Sequence, residues 1–157
     1  DAPVESREET SKYTDVLDNG IARKWTWAMD AKSVVTSPSP QSPITHGSGP
    51  LVISGLAWTG RGTITRVDVS KDGGMTWETA RLAKPGEKMA LTRFYFDTEW
   101  DGSEMMLQSR AMDDTGYIQP TKTQLREVRG LNSIYHNNCI QTWLVRSNGE
   151  AENVEVS

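Results

Sequence analysis

Short β-prone runs separated by turn-forming residues are the feature that most limits how this chain can fold. Between residues 51 and 113 the runs are rich in β-branched, aromatic and other apolar residues, and clusters containing Gly, Asp or Pro divide them. The runs are LVISGLAW (51–58), TITRVDVS (63–70), MTWETARL (75–82), ALTRFYFDTEW (90–100) and MMLQSRAMD (105–113). Strands of this length at this spacing predict an all-β sandwich. Helix is expected only as a turn or two at 121–128 (TKTQLREV).

The length of 157 residues suits one domain with a core of its own. We expect the polar segment 1–22 to be a linker or arm, because it has no sustained apolar period and carries the turn signal Asn19-Gly20. A disordered terminus is the equal alternative for this segment. Residues 23–157 then form the sandwich. No segment approaches the roughly 18 apolar residues that cross a bilayer, and no signal peptide opens the sequence, so membrane insertion is not expected.

The charged residues argue against a nucleic-acid surface. There are 17 basic and 21 acidic residues, the net charge is -4, and neither sign runs in long blocks. A surface that follows phosphates would need clustered positive charge, so no nucleic-acid partner is expected. The single cysteine, Cys139, excludes an intrachain disulfide, and His46 and His136 lie too far apart in sequence for a local pair of metal ligands.

One hairpin can be placed from its residues. In RVDVS (66–70) the alternation predicts that Val67 and Val69 face the core while Arg66, Asp68 and Ser70 face water. The turn Asp72-Gly73-Gly74 should return the chain with Trp77 anchored in the core. Residues 70–77 match an Asp-box, S-x-D-x-G-x-T-W, which repeats in propeller folds. This chain has one copy, so we interpret it as a structural hairpin.

No catalytic motif stands out elsewhere in the chain. Asp113-Asp114 is interpreted as a turn rather than an acid–base pair, and His136 as a hydrogen-bonded structural histidine. Most of the six tryptophans are expected in the core and at its rim. Trp25 and Trp27, two residues apart on a predicted strand, must face the same side and could instead form a surface that binds a partner.

The pair Arg129-Gly130 is the one candidate substrate-binding feature. An arginine fork suits tetrahedral oxyanions, and an adjacent glycine lets the backbone approach a ligand closely. A surface salt-bridge arginine is the ordinary alternative.

Three ordered segments span most of the chain: SGLAWTGRGTITRVDVSKDGGMTWETARL (54–82), QSRAMDDTGYIQP (108–120) and VRGLNSIYHNNCIQTWLV (128–145). Together they resemble the C-terminal dimerisation domain of the sulfite-oxidase family of molybdenum oxidoreductases. Two further stretches, REETSKYTD (7–15) and HNNCIQTW (136–143), are similar to the molybdoprotein subunits of bacterial sulfur dehydrogenases, which serve thiosulfate oxidation.

The resemblance implies an immunoglobulin-like sandwich of the E-set type that forms a homodimer. It also implies that the molybdopterin cofactor and its cysteine ligand lie in a preceding catalytic domain, so this chain itself is expected to hold no catalytic residue, cofactor or metal. Cys139 is then a buried, inert thiol. A c-type cytochrome subunit would accept electrons in the periplasm, and Arg129 would complete the anion site of the catalytic domain.

The hypothesis from the sequence is therefore the dimerisation domain of a molybdenum-dependent sulfite or sulfur dehydrogenase. Sulfite and a protein-bound persulfide both remain possible substrates. The alternative is a freestanding sandwich that binds a ligand or a cell-surface partner through Trp25, Trp27 and their neighbours.

Overall fold

The computed structural model describes residues 13–16, 23–84, 86–131 and 134–156. Strands dominate the described part, and one short helix follows the ninth strand. The elements are β1 (Thr14–Val16), β2 (Arg23–Trp25), β3 (Lys32–Ser37), β4 (Gly49–Trp58), β5 (Ile64–Ser70), β6 (Glu78–Thr79), β7 (Arg81–Leu82), β8 (Thr92–Trp100), β9 (Met105–Asp113), α1 (Lys122–Arg129), β10 (Thr142–Val145) and β11 (Ala151–Val154).

Two antiparallel sheets build the domain. The four-stranded sheet has the order β3-β4-β8-β7, and the five-stranded sheet has the order β11-β10-β9-β5-β6. Strands β1 and β2 pair separately. The predicted all-β sandwich with little helix is confirmed. Within the described residues, no helix is long and apolar enough to span a membrane.

The core lies between the two sheets. Alternate residues of the long β4–β8 pair point inward, so Ile53 and Phe94 are fully buried while Val52 faces out. Val67 and Leu107 meet them from the five-stranded sheet. Gly55 is required here, because a Cβ at this position would overlap the Phe94 ring and the carbonyl oxygen of Val34. Among the tryptophans only Trp100 belongs to the buried core, and Trp143 packs against it.

The predicted strand at 75–82 is two short strands in different sheets. Strand β6 pairs with β5 in the five-stranded sheet, whereas β7 pairs with β8 in the four-stranded sheet. Ala80 lies between them with its side chain buried, and its N–H donates to the Val67 carbonyl oxygen at 2.8 Å. The chain therefore crosses from one sheet to the other at the edge of the sandwich, which alternation alone did not predict.

The prediction of a wet face on β5 is wrong for two of its three residues. Asp68 and Ser70 are buried, and only Arg66 is exposed. The Asp68 carboxylate accepts hydrogen bonds from Thr79 Oγ1, Arg66 Nη2 and Arg110 Nη2 at 3.0 to 3.1 Å. Arginines and the returning hairpin cover this face, and their donors satisfy a carboxylate that could not otherwise be buried.

The predicted arm at 1–22 falls largely outside the described residues. Within it, β1 pairs antiparallel with β2, and Asp15 lies opposite Lys24. The boundary at residue 22 and the immunoglobulin-like classification stay predictions.

Candidate functional site: the Arg129 fork

Helix α1 carries Arg129 at its end. Thr121 caps the start of α1, because its hydroxyl accepts from the Gln124 N–H at 3.2 Å while the Gln124 side chain accepts from the Thr121 N–H at 3.0 Å. Gly130 ends the helix at φ 78°, and its N–H donates to the Arg126 carbonyl oxygen. The predicted short helix is confirmed, and its last residue is the predicted site arginine.

Arg129 is buried rather than on the surface. It is 8% exposed and pairs with Asp15, which is 3% exposed. Nε donates to Asp15 Oδ2 at 2.6 Å and Nη2 donates to Oδ1 at 3.2 Å. This two-point pairing fixes the plane of the guanidinium group. The ordinary alternative of a salt-bridge arginine agrees with this pairing except in its location, because both partners are withdrawn from water; the substrate-binding role of Arg129 stays a prediction.

Two successive backbone carbonyls bind the other edges of the fork. Nη2 donates to the Tyr135 carbonyl oxygen at 2.6 Å, and Nη1 donates to the His136 carbonyl oxygen at 3.0 Å. His136 has a positive φ of 51°, which turns the chain at this point. A guanidinium has five N–H donors, and the hydrogen bonds to described residues use four. One N–H of Nη1 has no partner among the described residues.

The interpretation of His136 as a hydrogen-bonded histidine holds for its backbone only. Its ring Nδ1 is buried with no hydrogen-bond partner in the described part of the chain. The ring lies 4.1 Å from the Tyr135 ring, centroid to centroid, and Tyr135 meets Tyr13 edge-on at 4.3 Å. A hydrogen bond with Tyr13 raises the pKa of Tyr135. Aromatic packing therefore joins β1 to the loop that holds Arg129.

Trp25 and Trp27 face the same side, as predicted. Their rings are stacked at 4.9 Å with an angle of 2° between the planes, and Trp27 is 63% exposed. Thr26 between them binds the Tyr13 carbonyl oxygen through its N–H and its hydroxyl, at 2.8 and 2.9 Å. The tryptophan pair thus lies on the segment that also positions β1.

A groove of about 1330 Å³ runs beside α1, and Arg129 forms part of its wall. We call it the α1 groove; it is lined by most of α1, by residues 117–121, by residues 137–142 except Asn138, by residues 153–156, and by Asp30, Lys32, Gly73, Gly74, Trp77, Gln108 and Arg110. Burial lowers the pKa of Lys32, whose Nζ donates to the Asn137 carbonyl oxygen at 2.6 Å. The groove therefore combines apolar walls with cationic groups and with the carboxylates of Asp30, Glu127 and Glu155.

A buried polar network holds the loop before α1 in place. The Gln119 side-chain oxygen accepts from the Ser33 N–H and hydroxyl at 2.8 Å and from the Ala111 N–H at 3.1 Å. Asn138 donates to the Ala31 carbonyl oxygen and to the Tyr117 hydroxyl. These bonds tie the segments on both sides of α1 to strands of both sheets, so the position of Arg129 is set by the sandwich.

The remaining candidates are structural. Cys139 is a buried free thiol, as expected, and accepts a hydrogen bond from Gln141 Nε2 at 3.4 Å. Asp113 accepts from the hydroxyls of Thr59 and Thr115, which agrees with a turn rather than an acid–base pair. Across the described ranges no group of three or more His, Cys, Asp or Glu residues could hold a metal. That this chain itself holds no molybdenum cofactor stays a prediction.

The Asp-box turn also has a structural arrangement. Asp72 accepts from the Ser70 hydroxyl at 2.7 Å and from the Thr76 N–H at 2.9 Å. Trp77 is only half-buried and lies outside the apolar core, contrary to the expectation that it anchors there. Its indole donates to the Gly74 carbonyl oxygen, and the Arg110 guanidinium stacks on its ring at 4.2 Å.

The sequence singled out Arg129 but none of its partners. Asp15 ends the stretch 7–15 that carries part of the family resemblance, but nothing in that stretch assigns it a role, and the Tyr135 and His136 carbonyls are backbone groups that no side-chain motif reveals. Only the pairing of β1 with β2 brings position 15 to the end of α1, a separation of 114 residues along the chain.

The fold and the site together define a two-sheet β-sandwich domain that holds one buried arginine–carboxylate pair at the end of its helix. The chain belongs to the family described as the Mo-co oxidoreductase dimerisation domain, whose model matches residues 23–143. The predicted family is confirmed.

Known relatives agree with this assignment. Sulfite oxidase of Gallus gallus is 36% identical over 98 residues, which cover 59% of this chain. Mitochondrial sulfite oxidase of Rattus norvegicus is 33% identical over 121 residues, which cover 70% of this chain. The match spans 21% of each of these proteins.

A solved structure is more similar still. The sulfane dehydrogenase SoxCD from Paracoccus pantotrophus contains a chain that is 69% identical, with a TM-score of 0.92. The alignment covers 98% of this chain and 40% of that chain. The predicted similarity to bacterial sulfur dehydrogenases is confirmed. Because this chain matches less than half of that protein, the activity of a larger enzyme is a matter for proposal.

Proposed function

We propose that this chain is the dimerisation domain of a molybdenum-dependent sulfur-compound dehydrogenase and that Arg129 completes the anion site of its catalytic domain. The observation that carries the proposal is the 69% identity to the sulfane dehydrogenase chain over 98% of this chain. The name of that enzyme implies a sulfane substrate, and the names of the animal relatives imply sulfite.

The cofactor belongs to the catalytic domain in this proposal. When bound there, the molybdopterin-held molybdenum would supply the two-electron oxidation of a sulfur centre. This chain would contribute, through Arg129, positive charge and the one N–H that has no partner among the described residues. Asp15 and the Tyr135 and His136 carbonyls hold the fork in one orientation, so its donors need no reorganisation to meet an anion.

Gly130 has a supporting role. With its φ of 78°, it ends α1 directly after the arginine, a backbone conformation that other residues rarely adopt. Its N–H is engaged with Arg126, so its contribution is to leave room at the helix end and not to donate to a ligand.

The proposed partners are a second copy of the chain, the catalytic molybdopterin domain and a c-type cytochrome subunit that accepts electrons in the periplasm. The family description supports the homodimer, and the resemblance to bacterial sulfur dehydrogenases supports the cytochrome and the compartment. These 157 residues contain one cysteine, whereas covalent haem attachment uses two, so a covalently attached haem would lie outside this sequence.

Replacing Arg129 by Ala in the intact enzyme tests the proposed role. We expect kcat/KM for the sulfur substrate to fall by about 100-fold or more, the loss typical when one preorganised donor to a developing charge is removed. Steady-state reduction of the cytochrome measures it, at a temperature at which the variant remains folded.

Arg126→Ala is the matched control. Arg126 lies on the same helix and is exposed, and its Nη1 is 3.8 Å from Glu155. The Arg126→Ala substitution also removes one positive charge but leaves the contacts of Arg129 intact. The specificity constant of this variant should therefore stay within about twofold of the wild type. An unchanged specificity constant for Arg129→Ala would remove Arg129 from the site.

The stacked Trp25 and Trp27 favour a second candidate, a freestanding binding module, because a stacked aromatic pair with one exposed ring suits a partner surface. The metal content of the intact protein separates the two functions. Molybdenum bound in a one-to-one ratio supports the enzyme, and a protein that contains no cofactor domain supports the binding module.

A further inference from the structure

Asp15 is placed where it sets the charge that Arg129 can offer. Its carboxylate is almost completely buried, and both oxygens accept from the guanidinium of Arg129. The pair carries no net charge when both groups are ionised. An anion that reaches the Nη1 N–H, which has no partner in the described part of the chain, would therefore meet a guanidinium already balanced by a carboxylate bound directly to it.

The other cationic groups of the α1 groove are mostly balanced too. Lys122 pairs with Glu155 at 2.5 Å, and Arg110 pairs with Asp68 at 3.1 Å. Lys32 donates to a carbonyl oxygen, and burial lowers its pKa. Among the described groups that bind Arg129, Asp15 is the charged one, so it acts most directly on how strongly the guanidinium attracts a doubly charged anion.

We infer that Asp15 is a positioning and specificity-determining residue: it orients the Arg129 fork and, by neutralising it, disfavours small dianions relative to sulfur compounds of lower charge. The inference rests on the proposed anion site. The Asp15 carboxylate repels a dianion more strongly than it repels a monoanion, because the Coulomb energy scales with the product of the charges. Discrimination through a repulsive group is an ordinary route to specificity.

The test measures sulfate binding to the intact enzyme by isothermal titration calorimetry at low ionic strength. Sulfate is a tetrahedral dianion of the size that an arginine fork accepts. Asp15→Asn keeps the shape of the side chain and removes its charge. We expect the Asp15→Asn enzyme to bind sulfate at least about tenfold more tightly than the wild type does. Its KM for sulfite should also be lower.

The direction of the change in sulfate affinity distinguishes a role in specificity from a purely structural role. Loss of a merely structural carboxylate would loosen the fork and weaken binding, whereas the inference requires tighter binding. Asp15→Ser makes the same charge change with a smaller side chain and must also tighten sulfate binding, which covers the case in which Asp15→Asn does not fold. Asp15→Glu keeps the charge and should leave the sulfate affinity within about twofold of the wild type.

Asp97→Asn is the matched control for the charge change. Asp97 is exposed on β8 and lies 3.8 Å from Arg81, so its loss changes the net charge equally at a surface ion pair. Its sulfate affinity should not change. Weaker or unaltered sulfate binding by folded Asp15→Asn or Asp15→Ser would overturn the inference.

The failure of the inference and the failure of the proposed function are distinguishable. If Arg129→Ala leaves both kcat/KM and sulfate binding intact, the proposed anion site is wrong. If Arg129→Ala weakens both but the neutral Asp15 variants bind sulfate no more tightly, only the role of Asp15 is wrong. Combining Asp15→Asn with Arg129→Gln should abolish the tightening, because the gain acts through the guanidinium.

Discussion

At the scale of single residues, Arg129 and Asp72 are both charged groups held by several hydrogen bonds, one in a buried position and one in an exposed turn. In each case a charged group is held by several hydrogen bonds at once, which fixes its orientation. Arg129 is fixed in a buried position at a helix end, where the fixed orientation bears on the proposed function. Asp72 is fixed in an exposed turn, where it bears on the stability of the β5–β6 hairpin.

Asp72 makes a pH-dependent contribution to stability. Hydrogen bonds from Thr76 and Ser70 lower the pKa of Asp72 to about 2, below its ordinary value of 3.8. A carboxyl whose pKa is lower in the folded state stabilises that state above pH 3.8 and loses the effect as pH falls towards 2. We therefore predict that Asp72→Asn lowers the thermal midpoint near pH 6 and that the difference from the wild type disappears near pH 2.

Thermal unfolding followed by circular dichroism across this range measures that difference. Comparing the two proteins at each pH cancels the contributions of the other carboxyl groups. A difference that stays constant down to about pH 2 would show that the Asp72 charge does not stabilise the turn.

At the scale of elements, helix α1 links the sandwich to the proposed site. It is only eight residues long, too short to be stable alone, so its capping and packing decide whether it forms. Leu125 supplies its buried apolar contact, and the Gln119 network fixes the loop before it. Any change that unwinds the helix should therefore displace Arg129.

Removing the N-cap tests this dependence. Thr121→Ala removes the hydroxyl that accepts from the Gln124 N–H, and we predict a loss of about 1 kcal/mol in the free energy of unfolding. Thr123→Ala, in the exposed first turn of the helix, is the control and should change it by about 0.5 kcal/mol or less. Urea denaturation provides both values; equal losses would mean that the capping box does not stabilise α1.

The elements differ in how well the sequence predicts them. Strands β4, β5, β8 and β9 follow from alternation and turn residues, since one face of each is buried against the other sheet. The split at Ala80 does not, because an edge strand that changes sheets has the same composition as one that continues. The burial of the second face of β5 was also missed. Asp68 is polar, and its burial depends on donors from Arg66, Thr79 and Arg110, of which Arg110 lies 42 residues away in the sequence.

At the scale of the whole molecule, the described surface carries exposed apolar residues that a monomer would leave in water. Val128, Leu131 and Ile134 are all exposed near the end of α1, and Leu91 and Val52 are exposed on and beside the four-stranded sheet. Apolar area of this kind is typical of surfaces covered in an assembly. It agrees with a family described as a dimerisation domain.

Family membership could be predicted from the sequence, whereas the surroundings of Arg129 could not. Family membership followed from three ordered segments, since these include the turns and core positions that the sandwich requires. The surroundings of Arg129 could not be predicted, because they depend on β1 lying beside a loop more than a hundred residues later in the chain. A contact of that kind leaves no local pattern in the sequence.

The central claim is that this domain functions in dimerisation. Sedimentation equilibrium of this chain tests that claim most directly. At high micromolar concentration we predict a mass of twice the 17.5 kDa of the single chain, with dissociation on dilution. A single monomeric species at every concentration, in this chain and equally in the intact protein, would contradict the claim.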